Sequence, residues 1–88
     1  MTEKYENLTY LDSEHEALTI LMEECGEVIQ ECSKIIRFGA DYTRLNKELG
    51  DLFALIEILD GFGVLNQVEI TEQIEKKKEK LKFFSNLL

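Results

Sequence analysis

The chain has 88 residues, enough for one domain, with 18 acidic against 10 basic side chains and a net charge of −8. That charge repels phosphate backbones and excludes general nucleic-acid binding. A hydrophobic content of 44% is too high for a disordered acidic tail, and no apolar run approaches the roughly 20 residues that span a bilayer.

A basic segment followed by an apolar one is missing, so no signal peptide is expected. Two cysteines, Cys25 and Cys32, make up the whole cysteine inventory. On one helix they lie about 10 Å apart, too far for a disulfide. One histidine beside them gives too few ligands for a zinc site. The pair reads as two buried core thiols in a reducing compartment, so the protein is expected to be cytoplasmic. The terminal Leu87 and Leu88 suggest packing or a frayed tail rather than an anchor.

In chain order, residues 1–11 read as an irregular or partly helical arm, with Tyr5, Leu8, Tyr10 and Leu11 available to pack across a neighbour. Ser13 and Glu16 have capping-box spacing. A first helix is expected over about 14–38. Its apolar stripe is Leu18, Leu21, Met22, Cys25, Val28, Ile29, Cys32, Ile35 and Ile36. Gly39 suits the position just past its end and Arg37 the last turn.

A second helix fits about 42–60, with Leu45, Leu49, Leu52, Phe53, Leu55, Ile56, Ile58 and Leu59 wrapping much of its girth. Such a helix is central or lies at an interface. Gly61 and Gly63 mark a turn, packed through Phe62, Val64 and Leu65. A lone G-x-G is a very weak nucleotide signal. A third helix starts between Asn66 and Thr71, with Ile70, Ile74, Leu81, Phe84 and Leu88 on its inner face. With no proline and no alternating run of β-formers, the fold class is all-α. A chain this short buries only about 60% of its extended surface, so an oligomer is expected.

The residues that carry chemistry are acids. Glu24, Glu27 and Glu31 fall within about 60° of one another on the first helix, and Glu48 and Asp51 about 60° apart on the second. Both sets border the apolar stripes. Antiparallel packing through those stripes brings the carboxylates face to face. Like charges in a partly dry cleft raise each other's pKa and cost stability. Mg²⁺ relieves this, being hard and oxygen-seeking, and it lets an acidic protein hold a nucleotide's phosphates. Read as structure alone, the same acids are a solvated helix face. Di-iron chemistry is disfavoured by the lack of Glu-x-x-His pairs, and His15 reads as a surface or capping-region side chain.

Glu23-Glu24-Cys25-Gly26-Glu27, twenty intervening residues, then Glu48-Leu49-Gly50-Asp51 resembles the EExxE…ExxD signature of the MazG-like, all-α nucleoside triphosphate pyrophosphohydrolases. The resemblance covers residues 14–65 well and the last helix loosely. It implies a helical bundle completed by oligomerisation, as a homodimer or homotetramer. It implies the reaction NTP or dNTP + H₂O → NMP + PPi, with Mg²⁺ as cofactor. Position by position, it makes Glu24, Glu27, Glu48 and Asp51 the metal-binding and catalytic acids, with Glu23 as an outer acid.

In the family a later lysine or asparagine holds phosphates. Here Lys77 and Lys78 are the candidates, on the inward side of the third helix, and Asn66 is a candidate for sugar or base. Residues 1–88 are expected to form a single domain, with no membrane or nucleic-acid partner. The chain lacks an obvious extra helix to enclose a base. The alternative is a non-catalytic helical protein that dimerises through the same apolar stripes.

Overall fold

The computed structural model describes residues 12–88. Three helices follow one another: α1 (Ser13–Phe38), α2 (Thr43–Gly61) and α3 (Gln67–Phe84). No strand occurs among the described residues, so the all-α expectation holds. The expected arm over 1–11 lies outside the described residues.

Each helix boundary has a local cause. Asp12, not Ser13, caps α1: its backbone is extended and its carboxylate accepts the His15 N–H at 2.8 Å. A carboxylate gives a charge-assisted bond and faces the positive end of the helix dipole, so it displaces the expected Ser13–Glu16 box. His15 is exposed in this first turn, and its Nδ1 lies 3.1 Å from Asp12. At the other end Gly39 adopts φ 67° and its N–H donates to the Ile35 carbonyl. That left-handed residue is the expected stop.

Asp41 starts α2. Its carboxylate accepts the Thr43 N–H at 3.0 Å, and that bond holds its carboxyl below the ordinary value. Gly63, at φ 74°, turns the chain after α2. Asn66 then caps α3 by accepting the Glu69 N–H at 3.0 Å, while Gln67 donates to Asp60 across the turn.

The four residues between α1 and α2 fold them into an antiparallel hairpin, and this is the one extensive helix–helix contact among the described residues. Among the described residues only Ala17, Leu59 and Glu31 are buried. Leu21, Val28 and Ile35 of α1 and Leu45, Leu49, Leu52, Leu55 and Ile56 of α2 are half-buried around them. The radius of gyration is 16.1 Å, against about 12 Å for a compact domain of this length.

α3 accounts for the difference, because it runs clear of the hairpin and none of its residues is buried. Its expected inner face is therefore corrected. Ile70 and Leu81 are half-buried, whereas Ile74, Phe84 and Leu88 are exposed. The glycine turn is looser than expected too, with Phe62 and Val64 exposed. Cys25 and Cys32 are exposed rather than core thiols, because one hairpin covers only one side of α1. No helix among the described residues is long and apolar enough to cross a membrane.

Candidate metal centre

The hairpin positions the acids. Glu24 lies two turns before Glu31 on the α1 face that meets α2, and Glu48 and Asp51 lie one turn apart on α2. Antiparallel pairing brings the two sets to the same level. Carboxylate oxygens of Glu24, Glu48 and Asp51 lie within 4.8 Å of one another. Glu24 and Glu48 are half-buried and Asp51 is exposed, so the cluster has a wet side and a sheltered side.

Its electrostatics are those of crowded like charges. Glu24 is pushed above its ordinary value by loss of water and then by the fields of Asp51, Glu48, Glu27 and Glu23. Glu48 is raised by loss of water, then by Asp51, Glu27 and Glu31, with Lys34 partly offsetting them.

Three oxygens at this separation fit a hard divalent cation. Ligands on opposite sides of Mg²⁺ are about 4.2 Å apart and those of Ca²⁺ about 5 Å. A span of up to 4.8 Å therefore needs at most a small side-chain closure to grip the smaller ion. All three donors are carboxylates, so soft metals are disfavoured.

The other candidates sit differently. Glu27 is exposed and outside the tight three, though its field reaches both Glu24 and Glu48. Lys77 and Lys78 do not face inward: the whole stretch 71–80 is exposed. Lys78 lies 3.7 Å from Glu75 on its own helix. The side-chain carbonyl of Asn66 is engaged as the α3 cap.

Glu31 is the acid whose weight sequence reasoning missed. It is the most buried carboxylate of the described residues, 6% exposed, and is paired with Lys34 at 3.1 Å. Its place on the face of Glu24, two full turns away, is read from the sequence; its burial is not.

Residues 12–83 match the model of the MazG nucleotide pyrophosphohydrolase domain. The chain belongs to that family. The match runs from the α1 cap to the last turn of α3 and so takes in the hairpin, the acid cluster and the third helix. No curated protein and no solved structure matches the chain. Membership brings the all-α MazG fold and nucleotide pyrophosphohydrolase chemistry as the family's activity.

Proposed function

We propose that this MazG domain is a Mg²⁺-dependent nucleoside triphosphate pyrophosphohydrolase, converting NTP or dNTP and water to NMP and pyrophosphate. The observation that carries the reading is the convergence of Glu24, Glu48 and Asp51 oxygens within 4.8 Å. When bound, Mg²⁺ would neutralise phosphate charge and make a coordinated water more acidic.

The chain's own residues supply the rest. Glu24, Glu48 and Asp51 hold the cation, and their mutual repulsion without it makes the site selective for positive charge. Glu27 stands outside the three, exposed and within their field, and serves as the base that takes a proton from the attacking water. Glu31, buried and tied to Lys34, fixes the α1 face on which Glu24 and Glu27 stand.

The water oxygen bonds to the α-phosphorus. The bond from that phosphorus to the α,β-bridging oxygen breaks, and the oxygen leaves with pyrophosphate. Lys77 and Lys78 are the proposed phosphate contacts and Asn66 the proposed sugar or base contact. The exposure of both lysines fits a role in which another subunit's cluster receives them, in a cytoplasmic homodimer or homotetramer.

A panel of NTPs and dNTPs with Mg²⁺, scored for NMP and pyrophosphate, tests the class. In ¹⁸O-labelled water the label should enter the NMP. Label in pyrophosphate would place attack on the β-phosphorus and overturn the assignment. Failure to turn over any nucleotide, with Mg²⁺ binding intact, would favour a binding role.

A further inference from the structure

The bases of the hairpin are gathered at one end of it. Between Asp12 and Gly61 they are Lys34, Arg37, Arg44 and Lys47, in the last turns of α1 and the first of α2. Lys34, Arg44 and Lys47 border a hollow of about 470 Å³ together with Glu31, Asp41 and Thr43. This hollow lies on the face of the acid cluster. Lys34 follows Glu27 by seven residues and Arg44 precedes Asp51 by seven. Seven residues are two helical turns, about 10 Å along the axis. α1 and α2 run antiparallel, so both steps lead the same way, from the cluster toward the connecting turn. The Lys34 charge is near enough to draw the Glu48 carboxyl down against the acids around it.

The acids of the hollow are already engaged. Glu31 is paired with Lys34, and Asp41 accepts the Thr43 N–H at the start of α2. Arg44 and Lys47 differ. Each has an acid four residues on, Glu48 and Asp51, yet neither forms an ion pair among the described residues. Those two acids turn to the cluster instead, and base before acid is the weaker order for such a pair. Lys34 also keeps donors to spare, since an ammonium carries three N–H groups and Glu31 takes one.

We propose that Lys34, Arg44 and Lys47 form a subsite for the two outer phosphates of a metal-bound nucleoside triphosphate, so that pyrophosphate leaves on the side of the α1–α2 turn. The proposal rests on the pyrophosphohydrolase reading above. It adds which groups of the same subunit hold the leaving group, and which way the substrate lies.

A short polyanion anchored by a cation at the acids meets these bases as its free end extends along the face. The arginine fork suits two phosphate oxygens at once, and each lysine adds a point charge. When the bond to the α-phosphorus breaks, the bridging oxygen keeps the electron pair. The charge that develops on it then lies next to three cations. The opposite end of the face has another character. Ile20, Leu55, Ile58 and Phe62 border a smaller hollow of about 210 Å³, with Glu16 in its wall. Apolar walls and a carboxylate suit a base and sugar rather than a phosphate.

Calorimetry on the full-length protein with Mg²⁺, using inorganic pyrophosphate as the probe, tests the subsite. Arg44 and Lys47 are exposed, so Arg44→Gln/Lys47→Gln should keep its helicity. It should bind pyrophosphate about tenfold or more weakly than wild type, with NMP binding and Mg²⁺ affinity retained. In turnover its KM for the triphosphate should rise, and inhibition by pyrophosphate should weaken in step. Arg37→Gln removes the same charge outside the hollow and should leave pyrophosphate affinity nearly unchanged.

Equal losses in Arg37→Gln and the double variant would show a general field rather than a subsite, and overturn the proposal. Unchanged pyrophosphate affinity in the double variant overturns it as well. If that variant still hydrolyses nucleotides normally, the pyrophosphohydrolase reading stands without it. If wild type turns over no nucleotide while pyrophosphate binding depends on Arg44 and Lys47, the hydrolase reading falls and the subsite stands as an oligophosphate site.

Discussion

At the scale of single residues, the cluster stores repulsion that a cation relieves. Glu48→Gln or Asp51→Asn removes one of three converging charges. Calorimetry should show Mg²⁺ affinity falling at least tenfold, and the metal-free melting temperature should hold or rise. Unchanged Mg²⁺ binding would place the site elsewhere.

The pH dependence follows from the raised carboxyls. Glu24 and Glu48 titrate above their ordinary value of 4.5 when folded. Between that value and the folded ones, the folded chain holds protons that the unfolded chain has lost. Their contribution to stability is therefore complete below the unfolded value and is lost as pH rises through the folded values. Metal-free protein should melt higher at the acid end of this window than at neutral pH, and saturating Mg²⁺ should flatten the difference. Asp41 has the opposite sign. Its carboxyl is held below 3.8 by Thr43, so its contribution is present above that value and fades as pH falls through the folded one. A thermal melt series in Glu48→Gln should lose part of the upper slope and keep the lower one.

At the scale of elements, the caps decide where helices stop, and they are separable from the cluster. Asp12→Ala should cost about 1 kcal/mol by losing the bond to the His15 N–H. Gly39→Ala should cost about 1–2 kcal/mol, because a side chain at φ 67° is strained. A Cβ there would meet nothing within 4 Å, so the loss is conformational rather than steric. Chemical denaturation measures both, and Mg²⁺ affinity should be unchanged in each.

The elements were the most legible part of the sequence. The three-to-four spacing of apolar residues predicts helices over about 14–38 and 42–60, and they run from Ser13 to Phe38 and from Thr43 to Gly61. Gly39 was readable because only glycine tolerates that stop cheaply. Asp12 was missed because serine and aspartate compete for adjacent cap positions, and charge decided between them. The convergence of Glu24, Glu48 and Asp51 was legible because helical geometry fixes which side chains share a face. Burial was less legible. Periodicity shows that Cys25, Cys32 and Phe84 lie on apolar stripes but not whether any partner covers the stripe. At all three residues the stripe is uncovered among the described residues.

At the scale of the whole molecule, much apolar surface is uncovered among the described residues. Phe53, Ile58 and Phe62 on α2, and Val68, Phe83 and Phe84 on α3, are exposed in addition to Leu18, Met22, Ile29 and Ile36 on α1. Soluble monomers rarely leave so much apolar surface in water, and closed symmetric assembly is the common way to cover it. Ile58 lies on the face of the acid cluster, two turns from Asp51, whereas Phe53 lies about 200° around the helix from Asp51. In the proposed homo-oligomer a charge on this exposed side of α2 should disturb assembly and the site together. Phe53→Asp or Ile58→Asp should therefore lose subunit association and at least tenfold in nucleotide hydrolysis, although neither residue is a proposed ligand. Helicity of the hairpin should persist, and the isolated subunit should still bind Mg²⁺ weakly through Glu24, Glu48 and Asp51. Light scattering and turnover measured on the same samples decide the point. A variant that stays assembled and active, or a wild-type chain that is a stable, active monomer at micromolar concentration, would show that one chain completes its own site.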